Sequence, residues 1–189
     1  MFKIWCQEIP EDKPYDPNHP IDRNLGFEWR QYLFADKSIP LSQLSFNLSE
    51  NIIASDFFEA DNIPIVSEKI KNILTQEVPN FVEFSSVKIL DNNKRTKIGS
   101  FFVVKINNSI ECFDWDKSVY QVRHLKNGIK RISSIQNLFL NQNVTNNQEI
   151  FRISELNCFL VGVREDLCKK IINTGAKGIE FKEPSQILM

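Results

Sequence analysis

Histidine is scarce in this chain of 189 residues, which holds only His19 and His124. A general base at neutral pH is most often a histidine, so base-assisted nucleophilic catalysis has few places to sit. His19 lies between Asn18 and Pro20, and His124 follows Arg123, with no recognisable nucleophile signature beside either. No Gly-x-Ser-x-Gly turn presents a serine nucleophile. Glycine is also sparse. Gly26, Gly99, Gly128, Gly162, Gly175 and Gly178 are scattered, and none forms a glycine-rich loop ahead of a helix, which removes the usual phosphate cradle. The four cysteines, Cys6, Cys112, Cys158 and Cys168, are irregularly spaced, with no Cys-x-x-Cys and no His-x-x-x-His to hold a metal. Asp114 and Asp116 flank Trp115, but a calcium loop needs more oxygen ligands and a glycine turn. They read as a polar turn at a strand end, and no metal or cofactor is expected.

An excess of either charge is missing too. Lys and Arg number 23 against 24 Asp and Glu, a net charge of -1, so no global field attracts nucleic acid or an anionic membrane. The richest basic stretch carries Arg123, Lys126, Lys130 and Arg131 around a turn-like Lys-Asn-Gly and reads as a solvated hairpin. No apolar run approaches the roughly 18 residues of a membrane span. The first ten residues have no apolar core of a signal peptide, breaking at Glu8 and Pro10. Scattered cysteines in apolar settings behave as small hydrophobes, and reduced thiols in the cytoplasm are the economical expectation.

What the chain has is phenylalanine. Fifteen Phe and a 42% hydrophobic content supply a substantial core. The length fits a single domain, with residues 1–44 as an N-terminal strand and proline-rich segment and residues 45–189 as the remainder. The expected class is α+β, a mostly antiparallel sheet with two principal amphipathic helices. Residues 1–9 read as a strand, and Pro10, Pro14, Pro17 and Pro20 forbid regular pairing after it. Phe27 to Leu33 reads as either a short helix or an edge strand, and Ile52 to Ala54 as a short strand. Val66, Ile70, Ile73 and Leu74 share a helical stripe over 65–76, with Ser67 as N-cap and Pro79 as stop. Asn80 to Leu90, Ile98 to Ile106 and Ser109 to Phe113 then read as a meander, followed by a loop over 114–118. Val119 to Val122 and Ile135 to Leu140 read as strands, and the Asn- and Gln-rich 141–148 as an exposed loop. Glu149 to Ile153 and Cys158 to Val161 follow as strands. Arg164 to Asn173 is a helix closed by Gly175 in a left-handed conformation, before a strand over 178–181.

One echo runs through these segments. Val66, Glu68, Ile70, Leu74, Val82, Glu83 and Phe84 share their spacing with Val163, Glu165, Leu167, Ile171, Ile179, Glu180 and Phe181. Two copies of one helix–strand unit and a chance likeness of amphipathic helices explain this equally well.

Several blocks resemble a known family. They are Asp56-Phe57-Phe58, Ile65 to Lys69, Val82-Glu83-Phe84, Ile110 to Ser118, Ile150 to Ile153, Val161 to Ile172 and Gly175 to Phe181. Their order and spacing over residues 45–184 are similar to the immunity-protein domain of bacterial polymorphic toxin systems. The resemblance implies a cytoplasmic α+β protein that binds and neutralises a cognate protein toxin encoded nearby, and it supplies no catalytic residues to carry over. Relatives open the second helix with Ser-Glu, as Ser67-Glu68 does here, whereas this chain has Arg164 at that place. Tight binding calls for a buried aromatic anchor within a polar rim. Trp29, Tyr32, Trp115 and Tyr120, with Asp114 and Asp116, are the candidate contacts. Asp114 and Ser118 also suit a turn that holds a strand end. The rival readings are a hydrolase that reverses a toxin's modification with a carboxylate pair, which only spatial separation can reveal, and a housekeeping interaction module.

Overall fold

A computed structural model describes residues 1–8, 45–48, 55–60, 63–91, 100–124, 130–156 and 160–189. The described strands are β1 (Phe2–Gln7), β2 (Ser45–Leu48), β3 (Phe57–Ala60), β4 (Ile63–Ser67), β5 (Val82–Asp91), β6 (Phe101–Ile106), β7 (Ser109–Ile110), β8 (Val119–His124), β9 (Lys130–Asn137), β10 (Ile150–Ile153), β11 (Val161–Arg164) and β12 (Ile179–Lys182). The helices are α1 (Glu68–Glu77), α2 (Gln142–Thr145) and α3 (Glu165–Asn173), and a 3-10 turn covers Pro184–Gln186. The fold is α+β with mostly antiparallel pairing. Among the described residues, no helix is long and apolar enough to cross a membrane.

The chain groups into two compact units. The first holds Met1–Cys6, Asn107–Lys170 and Glu180–Met189, and the second Gln7–Ile106 and Ile171–Ile179. The sheet of the first unit runs β12-β1-β11-β10-β7, with the hairpin β8-β9 as a separate ribbon. Ile4, Cys112, Phe113, Ile135, Leu138, Phe151, Ile153, Leu156 and Ile187 form its core. Phe151 packs where Gly162 leaves room, since a Cβ there would stand 2.4 Å from the ring. The sheet of the second unit runs β2-β5-β6-β4-β3, with Phe57, Phe58, Ile65, Val66, Val103 and Val104 buried.

Both predicted helices form, but each starts later than the periodicity suggested. Ile65 and Val66 lie in β4, and Val163 and Arg164 in β11. Each strand passes straight into its helix without a loop. Ile65, Val66 and Val163 are all buried, and a run of buried strand residues extends a helical stripe in the sequence. Ser67 is the N-cap in extended conformation, yet its hydroxyl does not cap the helix; it donates to Asp56 Oδ1 at 2.7 Å. Glu68 sits in the first turn of α1, and Glu165 and Asp166 in that of α3, where carboxylates complement the helix dipole. Gly175 has the expected positive φ, 69°.

Two other expectations are corrected. The meander breaks at Asn107-Asn108. β5 and β6 pair antiparallel, but β7 belongs to the other sheet and pairs parallel with β10. Alternation in a sequence marks a strand but not its partner. The stretch 141–148 is not a loop throughout. Asn141 accepts the amide N–H of Asn143 at 3.1 Å and so caps α2, whose Thr145 is buried. The readings for Phe27 to Leu33, Ile52 to Ala54 and Cys158 lie outside the described residues.

The echo has a counterpart in topology. In the second unit, β3 pairs with β4, α1 leads to β5, and β6 lies between β4 and β5. In the other sheet, β10 pairs with β11, α3 leads to β12, and β1 lies between β11 and β12. Even the register agrees: Ser67, Val66 and Ile65 face Phe101, Phe102 and Val103, as Arg164, Val163 and Gly162 face Phe2, Lys3 and Ile4. The entry to each hairpin is latched alike. The amide of Ser67 donates to the carbonyl of Asp56 at 2.7 Å, and that of Arg164 to the carbonyl of Glu149 at 2.9 Å. The guanidinium of Arg164 adds an ion pair to Glu149 at 3.3 Å and one to Asp166 at 2.6 Å. The copies differ in order: the central strand follows its unit in one (β5 then β6) and is the N-terminal β1 in the other.

Candidate functional site

The candidates in the 114–120 segment come together, all within the first unit. The turn after Phe113 is built by Asp114. Its Oδ1 accepts the Lys117 amide at 3.1 Å, its Oδ2 pairs with Lys117 Nζ at 3.3 Å, and its carbonyl accepts the Ser118 amide at 3.0 Å. Burial works against ionisation of Asp114, but the amides of Lys117 and Asp116 and the Lys117 ammonium outweigh it and hold the carboxyl below its usual range. The Asp114 amide donates to the Phe139 carbonyl at 3.0 Å, and Ser118 Oγ accepts the Phe139 amide at 3.0 Å. The turn is therefore fastened to the chain leaving β9. Asp116 is exposed at its tip.

On that turn sits an aromatic triad. Phe113 is buried at its base, with its amide donating to Glu155 Oε1 at 2.8 Å. The rings of Phe113 and Trp115 stand 4.7 Å apart, those of Phe113 and Tyr120 5.3 Å, and those of Trp115 and Tyr120 5.4 Å, all edge to face. Such pairs add about 0.5–1.5 kcal/mol each beyond burial and fix ring orientation. Trp115 is nonetheless 49% exposed. Val119 and Phe139, which sequence reasoning passed over, are exposed beside the same joins at 49% and 37%. Val119 lies on β8 opposite Asn137, and Phe139 follows β9 and is tied by its backbone to Asp114 and Ser118. Trp29 and Tyr32 lie outside the described residues.

A cavity of about 380 Å³ opens in this unit, lined by Phe2, Leu138, Phe139, Thr145, Glu183 and Pro184 among others. Glu183 is the carboxylate in its lining, and it is tied to the Lys3 ammonium. Thr145 Oγ1 is spent on the carbonyls of Asn141 and Gln142. Two facing carboxylates do not meet there. Cys6, Cys112 and Cys168 are free thiols. Burial, with the Glu155 charge, pushes Cys112 up to about 12, and burial pushes Cys168 to about 12. Both are protonated at neutral pH and unsuited to nucleophilic attack. Among the described residues, no three His, Cys, Asp or Glu gather as metal ligands.

In the second unit, burial pushes the Glu59 carboxyl on β3 up to about 7, while its amide donates to Gln7 Oε1 at 3.0 Å. Asp56 accepts from Ser67 Oγ, Lys69 Nζ and the Lys177 amide. Burial opposes its charge, but these donors outweigh it and lower its pKa. Both residues sit at structural joints of the second unit.

The described chemistry is thus that of a surface with a braced aromatic tip. No curated protein matches the chain. The family model described as the immunity protein family (Imm11) matches residues 19–186, reaching further into the proline-rich segment than the resemblance over 45–184. The chain belongs to the Imm11 immunity protein family.

Proposed function

We propose that this protein binds a cognate bacterial toxin in the cytoplasm of the producing cell and neutralises it by occlusion, without chemistry of its own. Family membership supports the immunity role. The observation that carries the binding mode is Trp115, half exposed yet held edge to face by Phe113 and Tyr120. An anchor whose rotamer is already fixed loses little entropy when a partner closes on it. Val119 and Phe139 are further exposed apolar side chains next in chain or backbone bonding to this turn, and Asp114 and Asp116 supply polar groups around Trp115, as an interface hot spot requires. Trp29 and Tyr32 remain proposed contacts by residue type.

The test is co-expression with the product of the adjacent gene, scoring survival and co-purification. Rescue with a stable complex is expected, and Trp115→Ala should weaken that complex by about 30-fold or more, the scale of a hot-spot aromatic. Rescue without a complex would overturn occlusion and favour an enzyme that reverses the toxin's modification. A harmless neighbour would favour a housekeeping interaction module.

A further inference from the structure

Between Asp116 and Glu149 the chain contains no acidic residue, while Lys117, Arg123, Lys126, Lys130 and Arg131 all fall there. With a net charge of -1, the rest of the chain is acidic. Most of this positive charge belongs to the β8-β9 hairpin. In its register Arg123 stands directly opposite Arg131, and His124 opposite Lys130. Like charges directly opposed across a strand pair destabilise it. Several basic side chains elsewhere among the described residues are matched: Lys3 with Glu183, Lys69 with Asp56, Lys105 with Glu83, Arg164 with Glu149 and Lys169 with Glu165. Arg123 and Arg131 are exposed and ion-paired with no described carboxylate. The hairpin, like β7 and α2, has no counterpart in the second unit. It is an addition to the repeated frame that keeps an unfavourable charge pair.

We propose that the β8-β9 hairpin is a cationic docking arm for an acidic face of the protein partner, a reading that rests on the toxin-binding proposal and gives the partner's contact surface its charge. Tyr120 joins the arm to the Trp115 anchor, because it lies on β8 and touches the Trp115 ring. The hairpin steers and orients the encounter, and the aromatic tip holds the complex afterwards. A protein face suits it better than nucleic acid or a lipid surface. Those extended polyanions would also meet the acidic remainder of the chain, and strong non-specific nucleic-acid binding draws on roughly 6–10 phosphate contacts.

The charge pair supplies the test. Arg131→Glu turns the opposed arginines into an opposite-charge pair, so the fold should be kept or slightly stabilised while the arm loses its field. Association with the inactivated product of the adjacent gene is measured by stopped flow at about 50 mM and about 500 mM NaCl. We expect the variant to associate about tenfold more slowly at low salt, with little change in dissociation, and to converge on the wild type at high salt. Arg123→Glu should behave alike. Equal association rates, with a complex formed in both cases, would overturn the docking arm and leave the immunity reading intact. If the wild type forms no complex, the immunity reading fails, and retention on immobilised poly-glutamate decides the arm. Retention of the wild type with loss in Arg131→Glu keeps it as an acidic-protein contact. No retention sinks it, as does stronger binding to a single strand of about 20 nucleotides or to vesicles with about 30% phosphatidylserine.

Discussion

Ser67 grips Asp56 twice, its amide donating to the Asp56 carbonyl at 2.7 Å and its Oγ to Oδ1 at 2.7 Å. The contact joins the start of β3 to the strand–helix junction, and the Lys177 amide and Lys69 ammonium complete it. Asp56→Ala should cost about 2–3 kcal/mol and Ser67→Ala about 1 kcal/mol, with a coupling of about 1 kcal/mol in the double-mutant cycle. Urea unfolding measures all three. Because the Asp56 pKa is lowered on folding, its contribution is present above the ordinary value of 3.8 and is lost as pH falls through the folded value. The advantage of the wild type over Asp56→Asn should therefore shrink in acid. A constant gap from neutrality into acid would contradict this.

Glu59 has the opposite sign. Its carboxyl rises from 4.5 to about 7, so the folded state holds the proton more tightly than the unfolded state. Its contribution is fully favourable below pH 4.5 and is lost as pH rises through about 7. At 1.36 kcal/mol per unit, the difference is about 3 kcal/mol. Glu59→Gln should flatten stability between pH 4.5 and 7 and be the more stable protein above that range. Denaturant midpoints across this window are the check, and parallel pH curves for the two proteins would refute it.

Gly178 and Gly162 are held by different demands. Gly178 has φ 77° and leaves no space, since a Cβ would stand 2.7 Å from the Phe57 carbonyl oxygen. Gly178→Ala meets both obstacles and should cost about 2–4 kcal/mol. Gly162→Ala meets only the buried Phe151 ring and should cost about 1–3 kcal/mol by overpacking. Combining it with Phe151→Leu should recover part of the loss, whereas no second-site change at a ring can rescue Gly178→Ala. Thermal melts of the four proteins decide it.

Cys112 and Cys168 should react with a maleimide only through opening of the structure. Both are buried, and both thiols are pushed up to about 12. Peptide mapping after timed labelling should show Cys6 modified before either. Prompt labelling of Cys112 in the native protein would contradict its burial.

Phe113 and Trp115 touch, yet substitution should separate their roles. Phe113→Ala removes a buried ring and should cost about 3–5 kcal/mol in stability. Trp115→Ala removes a half-exposed ring and should shift the melt far less while weakening partner binding. Equal melting losses would make Trp115 a structural residue.

Much of this was legible because local rules set it. Gly175 ends α3 with a positive φ, and the basic run forms a hairpin as its turn signal implied. Local rules failed where a distant segment decides. Ile65 and Val66 extend a helical stripe but belong to a strand because β3 and β6 pair on either side of them. Asn107-Asn108 looks like a hairpin turn, yet β7 crosses to another sheet because its partner is β10. The candidate site divides likewise. Asp114 and Ser118 were readable as turn-formers, and Trp115 as an aromatic in a loop. The opposed arginines needed the register of β8 and β9.

The repeated frame also sets an order of assembly. β3 to β6 find their partners within one continuous stretch of sequence, so that sheet can form while the chain is still being synthesised. β1, which lies between β12 and β11 in the other sheet, is made long before either: it pairs with Val161–Arg164 and neighbours Ile179–Lys182. Loop closure over such a distance is slow. β1 is therefore made well before it can be hydrogen-bonded, and pulse-labelled exchange should show protection of β4–β6 amides before those of β1. If β1 is protected as early as β6, the order is wrong. Until β11 arrives, this apolar strand is exposed to pairing with other nascent chains.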